Sequence, residues 1–131
     1  MSLTVSPDLL AQAQRGEVND EQFIGCIRNS LPYAFGLVNE LVQRLERGHD
    51  DAGYVFNQTP PPDDQARGQL LRMMASDAMR AVLQRHFGVR LAFQNCHAVG
   101  VFPQGGADAE LAAFTSARAQ LLNQSPELVN C

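Results

Sequence analysis

The sequence has 131 residues, of which 45% are hydrophobic, 18% charged and 7% aromatic. This length and composition are typical of one globular domain, which we expect over residues 1–131, and they exclude a disordered chain and a coiled-coil rod. No apolar run approaches the ~18 residues that span a bilayer. The sequence also lacks the pattern of a secretory signal, which is a positively charged start followed by an apolar stretch. The sequence therefore predicts a cytoplasmic protein without a membrane partner.

Acidic residues outnumber basic ones by 14 to 10, which gives a formal net charge of −4 at pH 7. A nucleic-acid-binding domain normally carries a basic patch or stripe, so this balance predicts no nucleic-acid partner. All ten basic residues are arginine. Two explanations are open: selection for a planar group that binds carboxylate or phosphate through two hydrogen bonds, or the codon usage of a GC-rich genome.

Local signals predict two helices in the first 30 residues. The run Ser6-Pro7-Asp8 is typical of a helix start, because serine caps unpaired amide groups, proline fits the first helical position and an acid favours the positive helix end. Gly16 would end this helix. A second helix is predicted over residues 21–29, where apolar residues recur at spacings of three and four.

The clearest helix signal covers residues 31–47. Its apolar residues fall on one arc of a helical wheel and its polar residues on the other, as expected for a helix that packs on a core. Gly48 marks the end of this helix. The segment 48–63 that follows contains three consecutive prolines, which stiffen the chain. It is either a binding loop or a connection anchored by Tyr54, Val55 and Phe56.

The longest helix is predicted over residues 64–87, with a capping aspartate before it and a glycine after it. Three apolar residues, Met73, Leu83 and Phe87, lie within or beside its polar face. A helix that is apolar on two sides either lies centrally or carries a second contact surface. The central position is the simpler explanation, but the extra apolar residues lead us to expect a homo-oligomer.

Residues 89–102 are ambiguous. Val89, Leu91 and Phe93 alternate with other residues as in a strand, and a hairpin turning near Asn95 would pair them with later valines. Apolar residues also recur at helical spacing here, and the Asn-Gly or Asp-Gly turn signal is missing. We therefore predict an all-α fold, a compact bundle of about five helices. An α+β fold with a small hairpin at 89–102 is the alternative.

The last helix is predicted over residues 108–123. Arg118 falls inside its apolar seam, which consists of Leu111, Phe114, Leu121 and Leu122. A buried guanidinium needs a partner, because an unpaired buried charge costs several kcal/mol. Arg118 therefore predicts an ion pair within the core, an interface or an anion-binding pocket.

The common nucleotide, zinc and hydrolase motifs are absent, so we predict no cofactor and no metal. The best catalytic candidates are Cys96 as nucleophile and His97 as base, with Asn95 as an orienting group or oxyanion donor. Adjacent residues on a helix or strand point apart, so His86 or His49 would be the alternative base. The opposing interpretation is a buried thiol beside a surface imidazole.

The three cysteines, Cys26, Cys96 and Cys131, form an odd set without a close pair. Without a secretory signal they predict reduced thiols. A metal site would have to draw on residues that lack the close spacing of zinc ligands, namely His49, Asp50, Asp51, His86, Cys96 and His97.

Three functions are therefore open. The sequence favours a non-enzymatic interaction or regulatory module that acts as a homodimer through helical faces. The first alternative is a small enzyme that uses Cys96 with a histidine. The second is a binder of a small ligand or anion, with Arg118 or the 48–63 loop at its pocket.

Overall fold

The chain has an α+β fold, so the predicted all-α bundle is wrong and the α+β alternative is confirmed. The computed structural model describes residues 3–48 and 53–123. The helices in this part of the chain are α1 (Pro7–Arg15), α2 (Asp20–Ser30), α3 (Pro32–Arg47), α4 (Asp64–Met74), α5 (Asp77–Phe87), α6 (Asp108–Phe114) and α7 (Ala117–Leu122). The strands are β1 (Val55–Phe56), β2 (Val89–Gln94) and β3 (Ala98–Pro103).

The strands form one antiparallel sheet in the order β1-β3-β2. β2 and β3 are the hairpin, with Leu91 opposite Val101. No glycine serves its turn. Instead, Asn95 and Cys96 take positive φ angles of 55° and 47°, which is the requirement of a type I′ turn and is uncommon for cysteine. Because the turn forms without an Asn-Gly or Asp-Gly pair, the absence of that pair was not evidence against a hairpin at 89–102.

The central strand β3 is buried on both faces, and this burial explains the ambiguous pattern at 89–102. On one face, Val99 and Val101 pack into the main core formed with α2 to α5. On the other face, Phe102 packs with Phe114 of α6. A strand that is buried on both faces shows no clean alternation of apolar and polar residues.

Gly100 allows α6 to approach the middle of β3. A Cβ atom at Gly100 would lie 2.7 Å from Cε1 of Phe102 and 3.1 Å from Cε1 of Phe114. Both distances are too short for unstrained contacts, so a side chain here would displace one ring. The absence of a Cβ lets the Phe102 and Phe114 rings meet edge to face, with centroids 5.6 Å apart.

A helix side chain binds one backbone amide on the outer edge of β2. Gln84 of α5 accepts a hydrogen bond from the Leu91 amide at 2.8 Å. The opposite edge of the sheet, β1, is only two residues long.

The predicted helix over 64–87 is two helices, because Ser76 starts a new one. Its hydroxyl accepts a hydrogen bond from the Met79 amide at 3.2 Å, as an N-cap residue does. The break turns Met73 and Leu83 into fully buried core residues. Met73 and Leu83, two of the residues that led us to expect a homo-oligomer, are therefore buried within the chain itself. The homo-oligomer stays a prediction.

A side chain from another helix caps α3. Leu31 precedes the helix and has no side-chain acceptor, and Pro32 has no amide hydrogen. Gln69 of α4 supplies the acceptor instead: its Oε1 binds the amides of Tyr33 at 2.7 Å and Ala34 at 3.2 Å. Because Gln69 is buried, removing it would leave two amides without an acceptor.

We expect Gln69→Leu to lower the free energy of unfolding by about 1–3 kcal/mol, the usual cost of unsatisfied buried donors. Gln65→Leu is the matched control, because Gln65 lies on the same helix and is exposed. Urea unfolding followed by circular dichroism measures both variants. Equal midpoints for the two would contradict the capping role.

An ion pair joins the start of α2 to the end of α5. Nε and Nη2 of Arg85 donate to the carboxylate oxygens of Asp20 at 2.9 and 3.1 Å. The hydrogen bond from Arg85 lowers the pKa of Asp20 below its usual value.

This pair should make stability depend on pH. Since the pKa of Asp20 is lower in the folded protein than in the unfolded chain, its contribution is complete above the unfolded pKa of about 3.9 and is lost as the pH falls through the folded value. Asp20→Asn should therefore lower Tm at neutral pH, and its curve should converge with that of the parent in strong acid. Glu21→Gln, one residue along, is the control. A Tm gap that is independent of pH would contradict the assignment.

Candidate functional site

A half-open cavity of about 690 Å³ lies where α6 and α7 meet the second face of the sheet. We call it the sheet–helix cavity. Its aromatic lining comes from Tyr54, Phe56 and Phe114. Its remaining lining residues are Asn57, Gln58, Gln94, His97, Ala98, Glu110, Ala113, Arg118, Ala119, Leu122 and Asn123.

Arg90 of β2 fixes the loop that leads into α6. Its guanidinium donates to the carbonyls of Pro103 at 2.9 Å and Gly106 at 2.5 Å, and to the carboxylate of Asp108 at 2.8 Å. These bonds hold both ends of the turn at 103–108 against the sheet. Sequence analysis did not identify Arg90, because its partners lie 13 to 18 residues away.

The polar residues at the hairpin turn support the C-terminal ends of α6 and α7. Gln94 donates to the carbonyl of Phe114 at 2.7 Å. Asn95 is buried, donates to the carbonyl of Asn123 and accepts a hydrogen bond from Gln120. Asn95, the predicted orienting group, therefore has a structural role, whereas Gln94 lines the sheet–helix cavity.

Asn57 follows the last residue of β1, and its side chain forms hydrogen bonds to the backbone at the start of β3. Its Oδ1 accepts from the Val99 amide at 2.7 Å, and its Nδ2 donates to the carbonyl of His97 at 2.7 Å. Asn57 thus behaves as both an anchor of the loop and a lining residue of the cavity. The predicted 48–63 loop contributes Tyr54, Phe56, Asn57 and Gln58 to the cavity, while residues 49–52 lie outside the described part of the chain.

The structure separates the two predicted catalytic residues. His97 lines the sheet–helix cavity and Cys96 does not. Nδ1 of His97 lies 2.6 Å from the carbonyl oxygen of Asn95. Cys96 is disulfide-bonded, so the expectation of a reduced thiol is wrong for this residue. Because only a thiolate attacks as a nucleophile, catalysis by Cys96 would require reduction, and this role stays a prediction.

The other two cysteines differ in status. Cys26 is a free, buried cysteine whose sulfur donates to the carbonyl of Thr4 at 3.3 Å. Its environment agrees with the expectation of a reduced thiol. Cys131 lies outside the described residues.

Arg118 is exposed, so its predicted burial in an apolar seam is wrong. Ser116 caps a separate helix by accepting from the Ala119 amide at 3.1 Å. The residues before and after this break therefore do not share one helical wheel. Phe114 is buried, but Leu121 and Leu122 are 73% and 64% exposed. Arg118 instead borders the sheet–helix cavity.

The residues considered for a metal site are not brought together in the described ranges. No group of three His, Cys, Asp or Glu side chains there is arranged to hold an ion. His86 is exposed, and its ring lies edge-on to Phe87 with centroids 4.7 Å apart. His49, Asp50 and Asp51 lie outside the description.

None of the helices in the described segments is both long enough and apolar enough to cross a bilayer.

Comparison with known proteins places the chain in a family. A family model described as "NucS shadow ORF" matches residues 1–131. The chain belongs to this family. The description refers to an open reading frame and specifies no activity, so it assigns no chemistry to the cavity. No curated protein and no solved structure matches the chain.

The state of Cys96 is open to a direct measurement. Without reductant, we expect iodoacetamide to leave Cys96 unmodified even in concentrated urea, whereas Cys26 becomes modified once the chain unfolds. After reduction, both should react. Peptide mass spectrometry distinguishes the two sites, and alkylation of Cys96 in unreduced, unfolded protein would show that the disulfide does not form in solution.

Proposed function

We propose that the protein binds a small ligand with a planar aromatic body and an anionic group in the sheet–helix cavity. Its volume of about 690 Å³ falls within the range of roughly 300–1,000 Å³ that ligand pockets occupy. The observation that carries the proposal is the combination of an aromatic lining with an arginine at its border. This is the ligand-binding alternative from the sequence, with both Arg118 and the 48–63 loop at the pocket.

The aromatic lining is held in place by packing. The ring of Tyr54 stacks on that of Phe102, with centroids 4.7 Å apart and planes 7° from parallel. Phe114 meets Tyr54 edge to face at 6.4 Å. Phe56 adds a further ring, 6.2 Å from Phe114. These rings offer a flat apolar surface to a planar ligand. Because packing already orders them, little conformational entropy is lost when the ligand binds.

The charge at the cavity border favours an anion. Arg118 lies in the first turn of α7, where the helix dipole disfavours a cation. In the described segments it has no carboxylate within ion-pair distance. Glu110, the acidic residue at the cavity, lies in the first turn of α6, where the dipole favours it. A carboxylate or phosphate on the ligand would give Arg118 a partner that the described residues do not supply.

The interaction-module hypothesis keeps one supporting observation. Leu121 and Leu122 are adjacent on α7 and both are largely exposed, which suits a contact with a protein partner or a second copy of the chain. A homodimer therefore stays a prediction. We prefer ligand binding because the cavity combines volume, aromatic surface and a cation that has no carboxylate partner among residues 3–48 and 53–123.

The probe for this proposal is 2-naphthoate, an aromatic carboxylate. With about 13 non-hydrogen atoms at about 0.4 kcal/mol each, its binding free energy would be about −5 kcal/mol and its Kd about 0.2 mM. We expect NMR titration of the ¹⁵N-labelled protein to shift the amides of Phe56, Phe114 and Arg118. Absence of saturable shifts up to about ten times this Kd would contradict the proposal.

Two alanines on α6 provide a matched pair of variants. Ala113 lines the cavity and Ala112 does not, although both are exposed. Ala113→Trp should fill the cavity and raise the Kd at least about tenfold, equivalent to about 1.4 kcal/mol, while Ala112→Trp should leave it unchanged. Arg118→Gln should weaken binding and Glu110→Gln should not. Equal Kd values for the two tryptophan variants would place the binding elsewhere.

A further inference from the structure

We infer that His97 makes the sheet–helix cavity selective for aromatic acids that also carry a hydroxyl group. The inference rests on the proposed function and adds the substrate class: hydroxylated aromatic carboxylates, with Arg118 binding the acid and His97 accepting the hydroxyl hydrogen. It starts from a hydrogen bond that the imidazole makes to the backbone.

That hydrogen bond determines which nitrogen carries the proton. Nδ1 of His97 lies 2.6 Å from the carbonyl oxygen of Asn95, and a carbonyl oxygen is only an acceptor. Nδ1 must therefore donate. In a neutral imidazole the other nitrogen, Nε2, then has a lone pair and acts as an acceptor. No side chain or backbone group in the described residues uses Nε2.

The main chain of His97 is also held by hydrogen bonds. The Asn57 side chain donates to its carbonyl at 2.7 Å, and its amide donates to the carbonyl of Gln94 at 3.4 Å. The imidazole is therefore held in one orientation at the cavity wall. A preorganised acceptor adds to affinity because little conformational freedom is lost on binding.

A phenolic hydroxyl is the donor that suits this site. The aromatic lining selects a planar ring, and a hydroxyl on that ring can donate to Nε2 while the ring stays in contact with Tyr54 and Phe56. A ligand without the hydroxyl would leave Nε2 without a partner. Sites that bind a substrate hydroxyl discriminate against analogues that lack it for this reason.

Glu110 is the competing acceptor, since its carboxylate also borders the cavity. A preference for hydroxylated ligands has to be assigned to one of the two residues by experiment. Glu110→Ala removes the carboxylate acceptor, and His97→Phe removes the imidazole acceptor while keeping a flat ring.

The experiment compares 6-hydroxy-2-naphthoate with 2-naphthoate on the full chain at pH 8. One hydrogen bond of about 1–1.4 kcal/mol should make the hydroxylated probe bind about five- to tenfold more tightly. In His97→Phe this ratio should fall to about one, whatever the change in the absolute Kd values. In Glu110→Ala the ratio should persist. A ratio retained in His97→Phe would overturn the inference.

A measurement on the unmodified protein avoids any effect of substitution on folding. The ¹⁵N resonances of the imidazole identify the protonated nitrogen, and they should show Nδ1–H and an unprotonated Nε2. The hydroxylated probe should shift the Nε2 resonance and 2-naphthoate should not. The opposite tautomer, or equal shifts with both probes, would refute the role of His97.

The two proposals fail in distinguishable ways. If neither naphthoate binds, ligand binding in the cavity fails and the selectivity fails with it. If 2-naphthoate binds and Ala113→Trp blocks it, but the hydroxyl brings no gain, the cavity is a ligand site and only the role of His97 is overturned.

Discussion

The fold depends on keeping the backbone of β3 paired while both faces of the strand are covered. A buried strand cannot leave amide or carbonyl groups without partners. β2 pairs along one side of β3, and β1 supplies only two residues on the other. The side chain of Asn57 continues that second side by accepting from Val99 and donating to His97. An amide side chain thus replaces a stretch of strand and leaves the neighbouring segment free to line the cavity.

The second face of the sheet is more lightly covered than the first. The main core joins the sheet to α2–α5, whereas the smaller cluster has α6 and a few aromatic rings. Arg90 holds the start of α6, Gln94 holds its end, and Gly100 lets Phe114 reach the strand. The sheet–helix cavity is the space that this partial cover leaves. The candidate ligand site therefore lies on the face of the sheet that fewer elements cover.

How far the sequence predicts this structure depends on the range of the interactions. The helices α1 and α2 follow from local caps and periodicity, and α3 follows from its periodicity and its terminal Gly48. Ser76 and Ser116 carry equally local cap signals, but an apolar pattern that continues past them suggested unbroken helices, and Arg118 was misplaced as a result. The hairpin was ambiguous because burial on both faces removes the alternation. Gln69 and Arg90 act on distant partners, which one sequence does not identify. His97 was identified for its chemistry, but its position at a cavity depends on the folded hairpin.

The glutamine at the outer edge of β2 has a consequence for association. An open strand edge offers unpaired amides and carbonyls to a second chain, and sheets that extend in this way lead to domain swapping and fibrils. Gln84 occupies the Leu91 amide at one edge, and the opposite edge is too short to template a long ladder. Both features disfavour intermolecular sheet extension, so helical surfaces such as α7 are the better candidates for self-association.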